Sequence, residues 1–290
     1  MMNYIEVRLL TQPQNIPYFE HVLQHHKIQG WIEEDCGDKK GLVFFLPLVD
    51  PAQQIINYIH NEIEKCGSTE ISLRKIRDED WEQSWKAYFK PLKIGRFLIK
   101  PTWEPLPATS DSSVIVIELD PGMAFGTGDH ATTSLCIEFL DEYLKKGDRV
   151  LDLGTGSGIL SLASLYLGAE SIVAVDHDEI ALTVAEENLQ RLGLLHKATL
   201  REQDVLMVNE GSFDIVVGNI FLGEVKKIIE TECKPLKEGG FFIGSGITSD
   251  QRKKVEEALS QSPFVICAWR TRDIWDAFVV KKVSGKGSAK

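Results

Sequence analysis

Apolar positions change period along this chain, and the changes mark its elements. Tyr4 to Leu10 alternates apolar and polar as a half-buried strand does, while Ile16 to Ile28 repeats at helical spacing. Gly30–Glu34 and Leu42–Leu46 are predicted strands joined by a polar turn with Gly37 and Gly41. Pro51 opens a predicted helix, Ala52–Lys65, stopped at Gly67, and Glu70–Ile76 is a further strand. The order βαββαβ is that of a small ferredoxin-like α+β module.

The next stretch, Arg77–Phe89, starts acidic and then spaces Trp81, Trp85, Tyr88 and Phe89 three or four apart, which predicts a connecting helix with one aromatic face. Pro91, Gly95, Pro101, Pro105 and Pro107 punctuate a passage that predicts loop, ahead of a strand at Val114–Leu119. Asp120–Asp129, with Pro121, Gly122, Gly126 and Gly128, cannot be a regular element and should run into a helix starting near Thr132 or Thr133.

From Val150 the pattern becomes strand, glycine turn, helix: Val-Leu-Asp-Leu, then Gly154, Gly156 and Gly158, then an apolar helix Ile159–Leu167. Such glycines permit φ > 0 and let a nucleotide-like ligand approach the backbone. The dinucleotide fingerprint wants a glycine at the sixth place, where Ile159 stands. That counts against a nicotinamide-dependent oxidoreductase. A second apolar run, Ser171–Val175, ends in Asp176, an acid placed to accept from two ribose hydroxyls.

A helix over Glu179–Leu192, a strand Ala198–Gln203 closed by Asp204, and a strand Ile215–Val217 ending in Gly218-Asn219-Ile220 follow. Ligands of open α/β sheets sit beyond the carboxyl ends of the strands, so Asn219 points toward the site. Helix Val225–Leu236, strand Phe241–Ile243, a helix from Ser249 or Asp250 to Leu259, and a hairpin of Val265–Trp269 with Trp275–Val283 complete the chain. The hairpin predicts one antiparallel strand at the edge of an otherwise parallel sheet, where a dehydrogenase sheet would continue with parallel crossovers.

The Asp-x-Gly-x-Gly-x-Gly turn with an acid closing the next strand resembles the Rossmann-like methyltransferases that bind S-adenosylmethionine. With Asp-Pro-Gly-Met-Ala-Phe-Gly-Thr-Gly-Asp-His-Ala-Thr-Thr at Asp120–Thr133 and Phe-Asp-Ile-Val-Val-Gly-Asn-Ile at Phe213–Ile220, the chain is similar to the ribosomal protein L11 methyltransferase family over most of its length. The resemblance implies a seven-stranded Rossmann-like methyltransferase sheet behind the ferredoxin-like module. It implies a substrate-docking domain at residues 1–76, a linker at 77–107 and a catalytic domain at 108–283; the small polar residues of 284–290 themselves predict a disordered tail. It also implies methylation of the N-terminal amine and lysines of a large-subunit ribosomal protein. Cofactor contact would fall to Thr133, Gly154, Gly156, Asp176 and Asn219, with Asn219 also catalytic. Asp129 and Ala131 flank His130 where the family more often has a Thr and a Pro.

The residues themselves leave alternatives open. A threonine at a helix start can hold a ligand carboxylate or only cap the helix, and an asparagine can simply end a strand. His130 is the obvious general base, yet methyl transfer to a neutral amine needs no acid to assist the leaving thioether, so loop structure or pocket packing is the stronger expectation for it. Asp204 can meet an adenine amino group or merely cap a solvated turn. A cofactor-binding ribosome-assembly factor without activity, or a methyltransferase of another protein or small amine, would share these residues.

Composition narrows the classes further. The 290 residues suit two domains and an ordinary globular core. No apolar run approaches the roughly 18 residues of a membrane span, and no secretory leader opens the chain, which predicts a cytoplasmic location. Five dispersed cysteines, Cys36, Cys66, Cys136, Cys233 and Cys267, contain no Cys-x-x-Cys pair and predict reduced thiols and no metal site. A net charge of −11 argues against broad nucleic-acid binding and suits a basic protein substrate. A monomer is expected.

Overall fold

The computed structural model describes residues 3–26, 28, 31–47, 52–66, 69–77, 90–106, 114–120 and 130–284. Of the aromatic helix expected over Arg77–Phe89, Arg77 instead closes a strand and residues 78–89 lie outside the described set, as do the glycine-rich residues 121–129 and the tail from residue 285. Two compact units divide between Lys90 and Pro91, inside the stretch read as linker.

The first unit carries β1 (Asn3–Thr11), α1 (Ile16–His25), β2 (Trp31–Cys36), β3 (Lys39–Pro47), α2 (Ala52–Cys66) and β4 (Glu70–Arg77). Its strands lie in the order β2-β3-β1-β4, antiparallel throughout. Register sets Val7 opposite Phe44 and Leu9 opposite Leu42, all fully buried; a one-residue slip would turn this row to the other face. Trp31, opposite Phe44, donates its indole N–H to Glu20 of α1 at 3.2 Å, and the Tyr18 hydroxyl of α1 donates to Glu62 of α2.

The second unit opens with β5 (Leu92–Ile94) and β6 (Phe97–Lys100), a hairpin turned at Gly95 with φ 53°, and β6 pairs in parallel with β7 (Ile115–Glu118). The sequence predicts loop across Pro91–Pro107. The prolines instead flank the strands, and burial of Ile94, Phe97, Ile99 and Ile117 in the main core outweighs the punctuation.

There follow α3 (Ala131–Tyr143), β8 (Arg149–Leu153), α4 (Ile159–Tyr166), β9 (Ser171–Asp176), α5 (Glu179–Arg191), β10 (Ala198–Glu202), β11 (Phe213–Asn219), α6 (Leu222–Glu230), β12 (Leu236–Thr248), α7 (Arg252–Ser260), β13 (Phe264–Arg272) and β14 (Trp275–Lys282). Seven strands form one mixed sheet in the order β10-β9-β8-β11-β12-β14-β13. Val150 to Leu153 are buried because helices cover both faces. Residues of α3 and α4 join one apolar cluster, those of α6 and α7 the other.

Two expectations change here. The antiparallel strand, β14, lies second from the edge, between β12 and β13. Its run Trp275 to Val280 is buried throughout, whereas Val265 to Cys267 of β13 are exposed, so the more apolar hairpin arm takes the inner place. A tight turn with Asp273 at φ 54° joins them. The helix expected to reach Leu236 ends at Glu230, because Glu232 and Cys233 adopt φ of 61° and 40° and the Cys233 N–H closes on the Ile228 carbonyl at 2.8 Å. Leu236 then opens β12 rather than ending a helix.

β12 kinks between Gly244 and Ile247, and Gly246 there has φ +86° with space for a Cβ occupied at 2.2 Å by the carbonyl oxygen of Ile220. Gly246→Ala should therefore cost about 2 kcal/mol or more in urea denaturation. Gly223→Ala, in α6 with nothing within 4 Å, should raise stability by up to about 1 kcal/mol. Equal effects of the two would refute the packing described for Ile220.

Candidate functional site

The turn after β8 holds three glycines at φ 72°, 53° and 81° for Gly154, Gly156 and Gly158, a region costly for residues with a Cβ. The N–H groups of Gly154 and Thr155 both donate to the Val175 carbonyl, at 2.8 and 3.0 Å, which binds the turn to the tip of β9. The next N–H, of Gly156, donates to Asp176 Oδ2 at 3.0 Å, and the other oxygen of Asp176 accepts from the Asp178 N–H at 3.1 Å. Asp176 is thus locked in place at the tip of the second strand. Its carboxylate retains further lone pairs for a ligand's hydroxyls.

What each glycine avoids differs. A Cβ on Gly154 would lie 2.7 Å from Cγ2 of Ile220, and one on Gly158 would lie 3.2 and 3.3 Å from Cβ and Cα of Ala185. Sequence reasoning attributes these glycines to ligand approach; at these two positions the close neighbour is the protein itself.

On the other side of the turn stand Thr133 and Asn219. Asn219 ends β11, next in the sheet to β8. Its Nδ2 donates to Thr133 Oγ1 at 3.3 Å although the two are 86 positions apart. Thr133 is 1% exposed, in the first turn of α3. The helix cap is neither threonine: His130 holds it, its Nδ1 accepting from the Thr132 N–H at 3.3 Å and lying 2.5 Å from the Thr132 hydroxyl. The ring also packs edge-on against Trp275, 4.9 Å between centroids. Asp204 is exposed and caps a short 3₁₀ turn by accepting from the Leu206 N–H at 2.8 Å.

Asp152 is the residue to which sequence reasoning gives no role. It is fully buried on β8, two positions before Gly154. Its Oδ2 accepts from the hydroxyls of Thr155 at 2.8 Å and Ser161 at 2.7 Å, and its Oδ1 has no hydrogen-bond partner among the described residues. Burial pushes its carboxyl up to about 6; the two hydroxyls act against that, and the Asp176 charge adds to it. The same burial, with the Asp152 charge beside it, raises the Cys136 thiol far above its ordinary range. Among the described residues, none supplies this carboxylate with a countercharge. Its one sequence signal is that an acid heads the glycine turn.

A mixed α/β sheet with a glycine turn after its central strand, an acid capping the next strand and an amide on the neighbouring one defines an enzyme of the methyltransferase class. The family model described as "Ribosomal protein L11 methyltransferase (PrmA)" matches residues 4–283. Proteins named ribosomal protein L11 methyltransferase are 40% identical over 239 residues in Carboxydothermus hydrogenoformans, covering 82% of this chain and 78% of that one, and 44% identical over 240 residues in Listeria monocytogenes serotype 4b, covering 82% and 76%. The crystal structure of a ribosomal protein L11 methylase from Lactobacillus delbrueckii subsp. bulgaricus superposes with a TM-score of 0.63 at 32% identity, over 68% of this chain and all of that one. The chain belongs to the ribosomal protein L11 methyltransferase family.

The raised carboxyl of Asp152 has a signed consequence. Its folded value lies above the ordinary 3.8, so the bound proton stabilises the fold fully below pH 3.8, and that contribution is lost as pH rises through about 6. Between pH 7 and pH 5 the ligand-free protein should gain about 1 kcal/mol from this group. Asp152→Asn should remove that increment in paired denaturation curves at the two pH values. An unchanged increment in the variant would assign it elsewhere.

Proposed function

We propose that this chain transfers methyl groups from S-adenosylmethionine to amino groups, lysine side chains and the N-terminal amine, of ribosomal protein L11. Family membership supports the substrate. The observation that carries the site assignment is the 3.3 Å pairing of Asn219 with Thr133 beside the glycine turn.

The site's residues fit the cofactor. S-adenosylmethionine is a cation, and Asp152 presents a buried oxygen without a hydrogen-bond partner among the described residues. In this reading Asp176 accepts from the ribose hydroxyls, the turn at Gly154 and Gly156 lies against the nucleoside, and Thr133 and Asn219 hold the amino-acid end and the region of the reacting carbon. When bound, the cofactor supplies an electrophilic methyl group on a sulfonium, whose departure as a neutral thioether requires no protonation.

The protein's share is positioning, which can be worth about 7–11 kcal/mol. Because Asn219 spends one amide hydrogen on Thr133, its rotation is fixed and its carbonyl oxygen is left to accept from an incoming amine. That orients the amine's lone pair. His130 is engaged as a helix cap and is given no proton-transfer role; solvent can take the amine's proton.

We assign residues 1–76 to a ferredoxin-like docking module, 77–107 to a linker and 108–283 to a Rossmann-like catalytic domain with the seven-stranded methyltransferase sheet. The strand order of the first unit, β2-β3-β1-β4, supports the ferredoxin-like assignment. The acidic balance of −11 suits a basic ribosomal protein. A cytoplasmic monomer fits that substrate, and no helix among the described residues is long and apolar enough to cross a membrane.

Incubation of purified ribosomal protein L11 with the enzyme and S-adenosylmethionine should add multiples of a methyl mass at lysines and the N-terminus in mass spectra. Asn219→Ala should lower kcat about a hundredfold, while Asp176→Ala should weaken cofactor binding at least about tenfold in calorimetry. An unmodified ribosomal protein in the presence of bound cofactor would refute the substrate; unchanged cofactor affinity in Asp176→Ala would remove that residue from the ribose.

A further inference from the structure

Asp152 and Asp176 hold the glycine turn from the sheet side; a third grip comes from the helix α5. Asn188 is 6% exposed, and both ends of its amide are used. Its Nδ2 donates to the Ser157 carbonyl at 2.9 Å, and its Oδ1 accepts from Arg191 Nη2 at 2.8 Å. The same Arg191 nitrogen donates to the carbonyl of Glu118, the last residue of β7, at 3.0 Å. One turn earlier on α5, Ala185 fills the space that a side chain on Gly158 would need. Helix and turn thus meet at one small-residue contact and one buried hydrogen bond.

Ser157 lies between Gly156 and Gly158, both at positive φ. Backbone in that conformation is not fixed by a regular ladder, so the direction of each peptide depends on local partners. The peptide N–H just upstream, that of Gly156, is committed to Asp176. The peptide between Ser157 and Gly158 is held at both ends: the Gly158 N–H donates to the Thr155 carbonyl at 2.9 Å, and the Ser157 carbonyl is tied outside the turn by Asn188.

We propose that Asn188 is a positioning residue for the cofactor: its amide fixes the Ser157 carbonyl, and through Arg191 it ties the glycine turn to the strand end that leads into Asp120. The inference rests on the reading of the turn as the S-adenosylmethionine site. It makes α5 a support of the turn although none of its residues need touch the ligand.

Asn188→Asp separates this role from simple packing. Aspartate keeps the size and can still accept from Arg191, but an ionised carboxylate cannot donate to a carbonyl. In the full-length protein, Asn188→Asp should raise the calorimetric Kd for S-adenosylmethionine roughly tenfold. It should leave the KM for ribosomal protein L11 and kcat at saturating cofactor within about twofold of the wild type. Arg191 is exposed, so Arg191→Ala should fold regardless and raise the same Kd about threefold, within the net range of one hydrogen bond. Wild-type affinity in either variant would overturn the proposal, as would a parallel loss in cofactor and acceptor parameters. A wild-type protein that fails to bind S-adenosylmethionine would instead sink the reading of the turn itself.

Discussion

One residue, Ile220, holds the site together through both its side chain and its backbone. Glycines surround this residue on three adjacent strands or their turns: Gly154 after β8, Gly218 within β11 and Gly246 in β12. A Cβ added at each would lie 2.7, 3.3 and 2.2 Å, respectively, from an atom of Ile220. Its own N–H donates to the Ser245 carbonyl at 3.1 Å. The glycine turn and the segment bearing Asn219 are therefore not two loops that happen to meet. They are packed through a common wedge at the carboxyl end of the sheet, where an α/β fold leaves its crevice. Close packing of this sort transmits small shifts rather than absorbing them, so the location of Asn219 depends on residues that never face a ligand.

Two carboxylates grip the glycine turn and meet opposite fates. Asp176 sits at a strand tip where two backbone N–H groups satisfy it. Asp152, inside the sheet, has two hydroxyls on one oxygen and no hydrogen-bond partner among the described residues on the other. A buried charge without a partner is costly; a cationic ligand arriving above the glycine turn would offset that cost. The same feature that weakens the ligand-free fold at neutral pH favours the kind of molecule the family uses.

Much of this is legible in the chain alone, and the gaps have physical causes. Gly154, Gly156, Gly158 and Asp176 announce a turn and its neighbouring acid because backbone conformation writes itself directly into glycine. The sequence places Asn219 and Thr133 near one site but does not pair them; the contact spans 86 positions and no local pattern encodes it. Prolines mask the β5–β6 hairpin, whose strands are held by burial rather than propensity. His130 displaces the threonines as helix cap because an imidazole nitrogen can accept an N–H as a hydroxyl does. Asp152 and Asn188 stay hidden for a common reason: a polar letter in an apolar run does not say whether it is buried, nor what waits for it there.

The methyl-transfer reading stands on a pocket bounded by the Gly154–Gly158 turn, Asp176, Thr133 and Asn219. A crystal structure of the full chain with S-adenosylhomocysteine tests it most directly. The ribose should lie within hydrogen-bond distance of Asp176, the amino-acid end toward Thr133 and the sulfur facing Asn219. A nucleoside bound elsewhere, or an Asn219 side chain turned away from the sulfur, would contradict it.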